Sequence, residues 1–294
     1  VTATIVAQQA INGIVLGSLY ILVALGLTLI YGVLVQINFA HADFVTLGAF
    51  SAYFFMHALG GNYLASIGVA FLVGAVLGFL INVAIFAPLR RKGNELLPLI
   101  ATIGISVMLQ NAMLSLFGPV PYAFETPYSQ RVFRVAGTFF TQQSIIIIAV
   151  STATIALLYA FMKFTFLGKA LRAVAQDRET AGLMGINPNY LIMLTFVLAS
   201  ALAGMGGAML APVLVLTPFA GASVIVKAFA IVIIGGFGNV EGTILAGLII
   251  GLIESFTTQY LDPGLIDIVV FGLLLLMLAF RPTGLVSERR EENV

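Results

Sequence analysis

The chain contains no cysteine, which excludes disulfides, thiol catalysis and cysteine-ligated metals and leaves its redox compartment unreadable. Charge is equally scarce. Asp, Glu, Lys and Arg make up 9% of 294 residues, 61% are hydrophobic, and mean hydropathy is +1.11. A soluble domain does not hide that much apolar surface. A formal net charge of +1 and aromatics that are mostly Phe, without basic interleaving, leave no footprint for nucleic acid, so no such partner is expected. No GxxxxGK[ST] phosphate loop and no HExxH pair occurs. His41 and His57 stand apart with no carboxylate at ligand spacing, and no metal site is expected. The Gly204, Gly206, Gly207 cluster looks like a dinucleotide loop but sits inside apolar text and follows no strand. No catalytic residue is assigned, because Asp43 with His41 is the one near candidate for an intramembrane acid and base. No Lys or Arg precedes the first apolar run, which is read as a span and not as a signal peptide.

What is present is membrane text. A spanning helix needs about 20 mostly apolar residues to cross about 30 Å of hydrocarbon, and the runs here are far longer than one span. Breaking them at charges and Gly/Pro clusters predicts nine candidate spans: Ile5–Val35, Phe44–Leu59, Tyr63–Leu89, Leu96–Phe117, Gln142–Met162, Tyr190–Leu216, Ala222–Ile234, Val240–Tyr260 and Leu265–Phe280. The expected fold is an all-α polytopic bundle over residues 1–294, with about eight to ten spans. The short spans from Phe44 and Ala222 are candidate half-helices. Arg90, Arg91, Lys92, Lys163, Lys169, Arg172, Arg178, Arg281, Arg289 and Arg290 fall on one side, and Arg131 and Arg134 on the other. Lys and Arg in short loops stay in the cytoplasm, so the N-terminus is expected outside and the C-terminus inside. Residues 118–141 become an outer loop, and residues 164–189 a cytoplasmic segment.

That segment, LGKALRAVAQDRETAGLMGIN from Leu167 to Asn187, reads as the one stretch built to meet a partner in water, with a solvated interhelical loop of ordinary positive-inside charge as the alternative. Gly168 opens it, Gly185 closes it as a helix C′ residue, and Asn187 with Pro188 forms a cap and first turn. A short helix between them puts Lys169, Arg172, Gln176 and Glu179 on one face and Ala170, Ala173, Val174, Ala181 and Met184 on a small apolar one. Two polar breaks interrupt the apolar text: INFAHADF, Ile37–Phe44, and GGFGNVEG, Gly235–Gly242. Gly/polar breaks at corresponding points of two halves point to discontinuous helices and a substrate path, making Asn38, His41 and Asn239 path candidates, with Gln110 and Asn111 beside them. Polar turns at the membrane surface are the bland alternative. Gln8, Gln9, Asn12 and Asn82 read as interhelical glue. Lys227 and Glu254 fall level at about 8 to 9 Å inside their spans, which suggests an intramembrane ion pair. GxxxG spacings at Gly13/Gly17, Gly74/Gly78 and Gly247/Gly251 predict close helix contacts.

The opening stretch INGIVLGSLYILVALGLTLIYGVLVQINFAHADFVTLGAF resembles bacterial branched-chain amino acid ABC permeases of the LivH type. The likeness continues through PLRRKGNELLPLIATIGISVMLQN, GKALRAVAQDRETAGLMGIN, VKAFAIVIIGGFGNVEGTILAGLIIG and RPTGL. It departs at Ala42, where the family usually has Gly, and in the outer loop. The resemblance implies a multi-pass subunit of an importer in the bacterial inner membrane. Its partners would be a LivM-type second permease, two cytoplasmic ATPases that hold ATP and Mg, an extracytoplasmic binding protein, and the surrounding lipid. The chain itself would carry no cofactor. The cytoplasmic segment becomes a coupling helix, with Gly168, Arg172, Ala173, Gln176, Asp177, Ala181 and Gly185 as its contacts. The small-molecule substrate is expected to be a branched-chain or other neutral amino acid. Alternatives are urea or short amides, or, in another class, an ion-gradient-driven secondary transporter.

Overall fold

A computed structural model describes residues 2–90, 92–93, 96–135 and 137–286; Arg91, Arg289 and Arg290 lie outside them. The longest apolar run folds as α1, Thr2–Leu34, about 50 Å long at 1.5 Å per residue and so longer than the hydrocarbon core. After it come α2 (His41–Leu59) and α3 (Tyr63–Ile81). A π-helical turn, Asn82–Phe86, prolongs α3 into α4 (Ala87–Arg90). Then follow α5 (Leu96–Phe117), a hairpin of β1 (Val132–Val135) and β2 (Thr138–Thr141), and α6 (Gln142–Phe164). Two short helices, α7 (Phe166–Gln176) and α8 (Arg178–Leu183), lead into α9 (Pro188–Leu210). The chain closes with α10 (Ala220–Gly235), α11 (Val240–Tyr260), a 3₁₀ turn at Pro263–Leu265 and α12 (Ile266–Phe280). Among the described residues eight helices are long and apolar enough to cross a membrane, counting Tyr63–Arg90 as one, and Ala220–Gly235 is a shorter apolar helix.

Between helices in lipid there is little hydrophobic force, so close packing at small residues holds them together. All three GxxxG pairs serve that purpose. A Cβ on Gly13 would stand 2.7 Å from the Leu252 Cα, and one on Gly17 would stand 2.9 Å from the Gly247 carbonyl. With Gly32 against Gly238, these contacts run α11 antiparallel to α1. On α9, Ala199 meets Gly26 and Gly206 meets Val23, so α9 also lies antiparallel to α1. Gly74 and Gly78 admit the Ser200 turn of α9, Gly204 of that helix admits α3 at Ala70, and α2 meets it where Gly48 admits Gly204 and Gly207 admits Val45. Helices α1, α2, α3, α9 and α11 therefore form one inner cluster. The outer spans α5, α6 and α12 are mostly exposed on this chain.

Two of the boundaries that differ from the sequence expectation shape the interior. The sixth span stops at Leu210 and not at Leu216, because Pro212 has no N–H to continue the helical ladder. Leu216 instead exchanges two backbone hydrogen bonds with Tyr122, at 2.9 and 3.2 Å. The second difference concerns α2. Its first residue, His41, places Nε2 3.1 Å from the Val23 carbonyl and packs its ring against Gly26. Val23 lies eleven residues before the end of α1, about 16 Å from it. Residues 35–40 must therefore turn back along α1, and α2 starts beside its middle. The first turn of α10 meets it there: Thr46 Oγ1 accepts the Gly221 N–H at 2.9 Å, and the Ala42 carbonyl sits where a Cβ on Gly221 would be.

Gly48→Val should force α2 off α9 and cost at least about 3 kcal/mol, the upper range for overpacking. Gly104→Val, on α5 with open space around it, should be tolerated. Thermal melting of the two variants in detergent separates them, and equal Tm values would contradict this packing.

Candidate functional site

The basic residues described on the expected inner side gather at one end of the bundle, and α7 and α8 are built into that end by local caps. Thr165 Oγ1 accepts the Gly168 N–H at 3.0 Å, starting α7. A Cβ on Gly168 would overlap the Phe161 and Met162 carbonyls, which is why the α6–α7 corner needs glycine. Arg172 donates to the Met162 carbonyl at the end of α6. The single helix expected here is two, because Asp177 leaves the helical conformation (φ −152°, ψ 114°) and caps α8. Its carboxylate accepts from Glu179 N at 2.8 Å and Thr180 N at 3.1 Å, and from the Thr180 hydroxyl at 2.5 Å. The Thr180 hydroxyl and then the Thr180 N–H hold this carboxyl below the ordinary Asp value. Gly185 takes φ +82° after α8, and Asn187 Oδ1 caps α9 by accepting Tyr190 N–H at 3.2 Å.

Of the small apolar face expected here, only Met184 is offered to solvent. Ala170, Val174 and Ala181 are buried against the chain's own body, and Ala173 is half-buried, because α7 lies down on the bundle to cover its end. Turned outward instead are Lys169, Arg172, Gln176, Asp177 and Glu179, followed by Leu183 and Met184, 88% and 78% exposed. Behind them Arg178 donates to the Val33 carbonyl at 2.8 Å, tying α8 to the last turn of α1. Tyr31 stacks on Phe237 of the α10–α11 turn with ring centroids 4.1 Å apart. The RPTGL segment closes the same end: Leu285 and Val286 donate to the Ile234 and Gly235 carbonyls at 2.8 and 3.3 Å, with Gly284 packed on Gly236.

The second polar break thus meets the last turns of α1 through Tyr31, Gly32, Phe237 and Gly238, and the path candidates take no part in that contact. Asn38 and His41 are enclosed, 2% and 0% exposed, where an open polar lining was expected. The cause is the backward turn of residues 35–40, in which Asn38 Oδ1 accepts the Ala40 N–H at 3.1 Å. Asn239 caps α11 by accepting the Gly242 N–H at 2.8 Å. Asn111 faces outward and donates back to the Val107 carbonyl at 2.7 Å. Gln110 donates to Ser106 at 3.0 Å, and both face the buried Asp43 carboxylate.

Lys227 and Glu254 are joined at 2.5 Å. Tyr20 of α1, which the sequence did not single out, completes the group. Its hydroxyl donates to Glu254 Oε1 at 3.1 Å and accepts from Lys227 at 3.3 Å, with the ammonium 5.3 Å from its ring centroid. The triad pins α1, α10 and α11 together. A tyrosine within an apolar run carries no sequence mark of such a role, and Arg178, one of several basic residues, carries none of its own contact. Among the described residues no group of three His, Cys, Asp or Glu side chains is placed to hold a metal.

A family profile described as "branched-chain amino acid transport system / permease component" matches residues 9–278. The chain is 34% identical to the high-affinity branched-chain amino acid transport system permease protein BraD of Pseudomonas aeruginosa, over 98% of this chain and 97% of the relative. It is 33% identical to LivH of Escherichia coli K12 over the same shares. It is also 24% identical to the LivM permease of that organism, over 98% of this chain and 72% of the relative.

Removing one partner of the triad leaves a charge stranded in a low-dielectric site. Glu254→Gln is expected to lower stability by about 3 to 5 kcal/mol, and Lys227→Met with Glu254→Leu to recover most of that loss. Chemical or thermal unfolding of the wild type and both variants in one detergent is the measurement. A harmless single substitution would contradict the burial of this pair.

Proposed function

The chain belongs to the permease family of branched-chain amino acid transport systems, and we propose that it is a membrane subunit of an ATP-driven importer for branched-chain or other neutral amino acids. One observation carries the reading. A charged, doubly capped segment, α7–α8, stands outward at one end of a membrane bundle, and Arg178 fastens it to the end of α1. The chain has no phosphate-binding loop of its own, so such a segment fits the role of receiving force from an ATPase made elsewhere. Leu183 and Met184, exposed beside Lys169, Arg172 and Gln176, suit a groove with an apolar floor and polar rim.

Two soluble ATPase subunits that bind ATP and Mg, a second permease of the LivM type and an extracytoplasmic binding protein complete the proposed assembly. The basic residues at the α7–α8 end support placing that end in the cytoplasm of a bacterial inner membrane, with the hairpin outside. Closing of the ATPase pair would push α7–α8 toward the partner permease. The Arg178 bond and the Tyr31–Phe237 stack would carry that displacement to α1 and the α10–α11 turn. Those helices border the enclosed breaks, so one orientation of the pathway is favoured in each nucleotide state.

Liposomes holding all the subunits should take up leucine only with ATP and the loaded binding protein, and the chain alone should take up none. Gradient-driven leucine uptake by the chain alone would overturn the proposal, and uptake of urea in place of leucine would overturn the substrate. Leu183→Asp with Met184→Asp, both at exposed positions, should leave folding intact and cut binding-protein-stimulated ATPase at least about ten-fold, the effect of losing one anchor residue at an interface. An unchanged rate would remove α7–α8 from the contact.

A further inference from the structure

Asp43 lies in the first turn of α2, 2% exposed, and its Oδ2 has no hydrogen-bond partner among the described residues. A carboxylate at membrane depth is expensive and ordinarily faces a basic group or a wet cavity. The basic side chains of the interior do not supply one. Lys227 is committed to Glu254 at 2.5 Å, and His41 spends its Nε2 on the Val23 carbonyl. The carboxylate is therefore an acceptor still waiting for a donor with positive charge.

What it faces is α5. Ala42 and Thr46 of α2 meet α10, whereas Phe50 stacks on Phe117 of α5 with ring centroids 4.5 Å apart. At 3.6 residues per turn Asp43 lies on the same side as Phe50, and Ser106 and Gln110, one turn apart on α5, face its carboxylate. Counted from Leu96, where α5 starts, these two stand about 15 and 21 Å along a helix that crosses about 30 Å of hydrocarbon. The group is thus near mid-membrane. It is also not sealed on every side. Helix α5 turns Ile105 and Met113 into the bundle, which leaves Ser106 and Gln110 half-buried on its flank beside Ile103, which is half exposed. Gln110 gives its Nε2 to Ser106 Oγ at 3.0 Å, so its Oε1 remains an acceptor.

An unmet carboxylate oxygen, an amide oxygen and a hydroxyl, gathered at mid-depth, match a group that carries one positive charge and several N–H donors. An ammonium has three donors and no acceptor. We propose that Asp43, with Ser106 and Gln110, binds the α-ammonium group of the amino acid in transit and so selects for it within the membrane. This assignment rests on the amino acid import reading above. Urea or a short amide brings no positive charge and would leave the buried carboxylate unpaired, which disfavours its passage. The half-buried flank of α5 is the side from which the ammonium reaches the carboxylate.

The test uses the assembled complex in two ways. In liposomes, Asp43→Asn should cut leucine moved per ATP at least about ten-fold, the loss of one charged hydrogen bond, with melting and binding-protein-stimulated ATPase held near wild type, and Asp43→Glu should restore most of the uptake. A purely structural role would lower melting and ATPase together, and that result overturns the proposal. The second arm needs no transport. Ser106→Cys, in a chain without native cysteine, should react with cationic aminoethyl methanethiosulfonate at least about five-fold faster than with anionic sulfonatoethyl methanethiosulfonate, the least that a unit charge about 4 Å away produces. Excess leucine should protect it, isocaproate, which lacks the ammonium, should not, and adding Asp43→Asn should erase the reagent preference. Equal rates with the two reagents, or equal protection by leucine and isocaproate, overturns the proposal. Wild-type complex that takes up no leucine would instead sink the import reading itself, whereas normal wild-type uptake with normal Asp43→Asn uptake sinks only this site.

Discussion

Everything in this fold depends on helices approaching one another at backbone distance inside a medium that offers no water to polar groups. The inner cluster meets this constraint with glycine and small residues at each crossing: Gly13 and Gly17 on Gly247 and Gly251, Gly48 on Gly204, and Gly74 on Ser200. Because these contacts leave no room for a methyl group, each crossing has one register, and the register fixes the depth of every polar side chain on the helices involved. The Tyr20, Lys227 and Glu254 group can form only because α1 and α11 are locked antiparallel with Gly17 beside Leu248. The aromatic stack of Tyr31 on Phe237 follows from the same alignment at the other end of the pair.

The constraint also explains how non-helical backbone survives deep in the bundle. Residues 35–40 turn back beside α1 with Val35, Ile37 and Phe39 exposed and Asn38 buried, so the polar side chain of the turn lies inside protein, as polar groups at membrane depth require. Asn38 caps the turn, His41 reaches the Val23 carbonyl, and the first turns of α2 and α10 meet through Thr46 and Gly221. Two helices therefore begin within the bundle. The segments that connect them to the α7–α8 end, the last turn of α1 and the α10–α11 turn, are the ones that Arg178, the Tyr31–Phe237 stack and the Leu285 bond hold together. A displacement at α8 has a short covalent and hydrogen-bonded route to both breaks.

Much of this was legible in the residues. Long apolar runs, glycine spacing and the caps at Gly185 and Asn187–Pro188 are local signals, and helices, their contacts and the ends of the α7–α8 segment follow from them. Level depths brought Lys227 and Glu254 together on paper because two ionised groups in hydrocarbon have few other options. The family's ordered blocks supplied the transport reading, which composition alone did not contain. What stayed hidden was nonlocal. A short amphipathic helix does not say on which side its own protein lies, so the small face of Ala170, Val174 and Ala181 read as a docking face and proved to be the inner one. The burial of Asn38 and His41 depends on a chain reversal that apolar text does not encode. The split of α7 from α8 was available in principle, since Asp177 followed by Thr180 is a capping pattern, but a charged helical stretch masks it.

If the Arg178 bond and the Tyr31–Phe237 stack couple them, the α7–α8 segment and the α10–α11 turn move as one body. Because the chain has no cysteine, spin labels at Gly182→Cys on α8, with open space around it, and at Glu241→Cys, exposed in the first turn of α11, can be read without background in the assembled complex. A distance between them by pulsed electron paramagnetic resonance should keep one narrow distribution with ATP trapped and after hydrolysis. A shift or broadening of that distance between the two states, in a complex that still transports, would contradict the account.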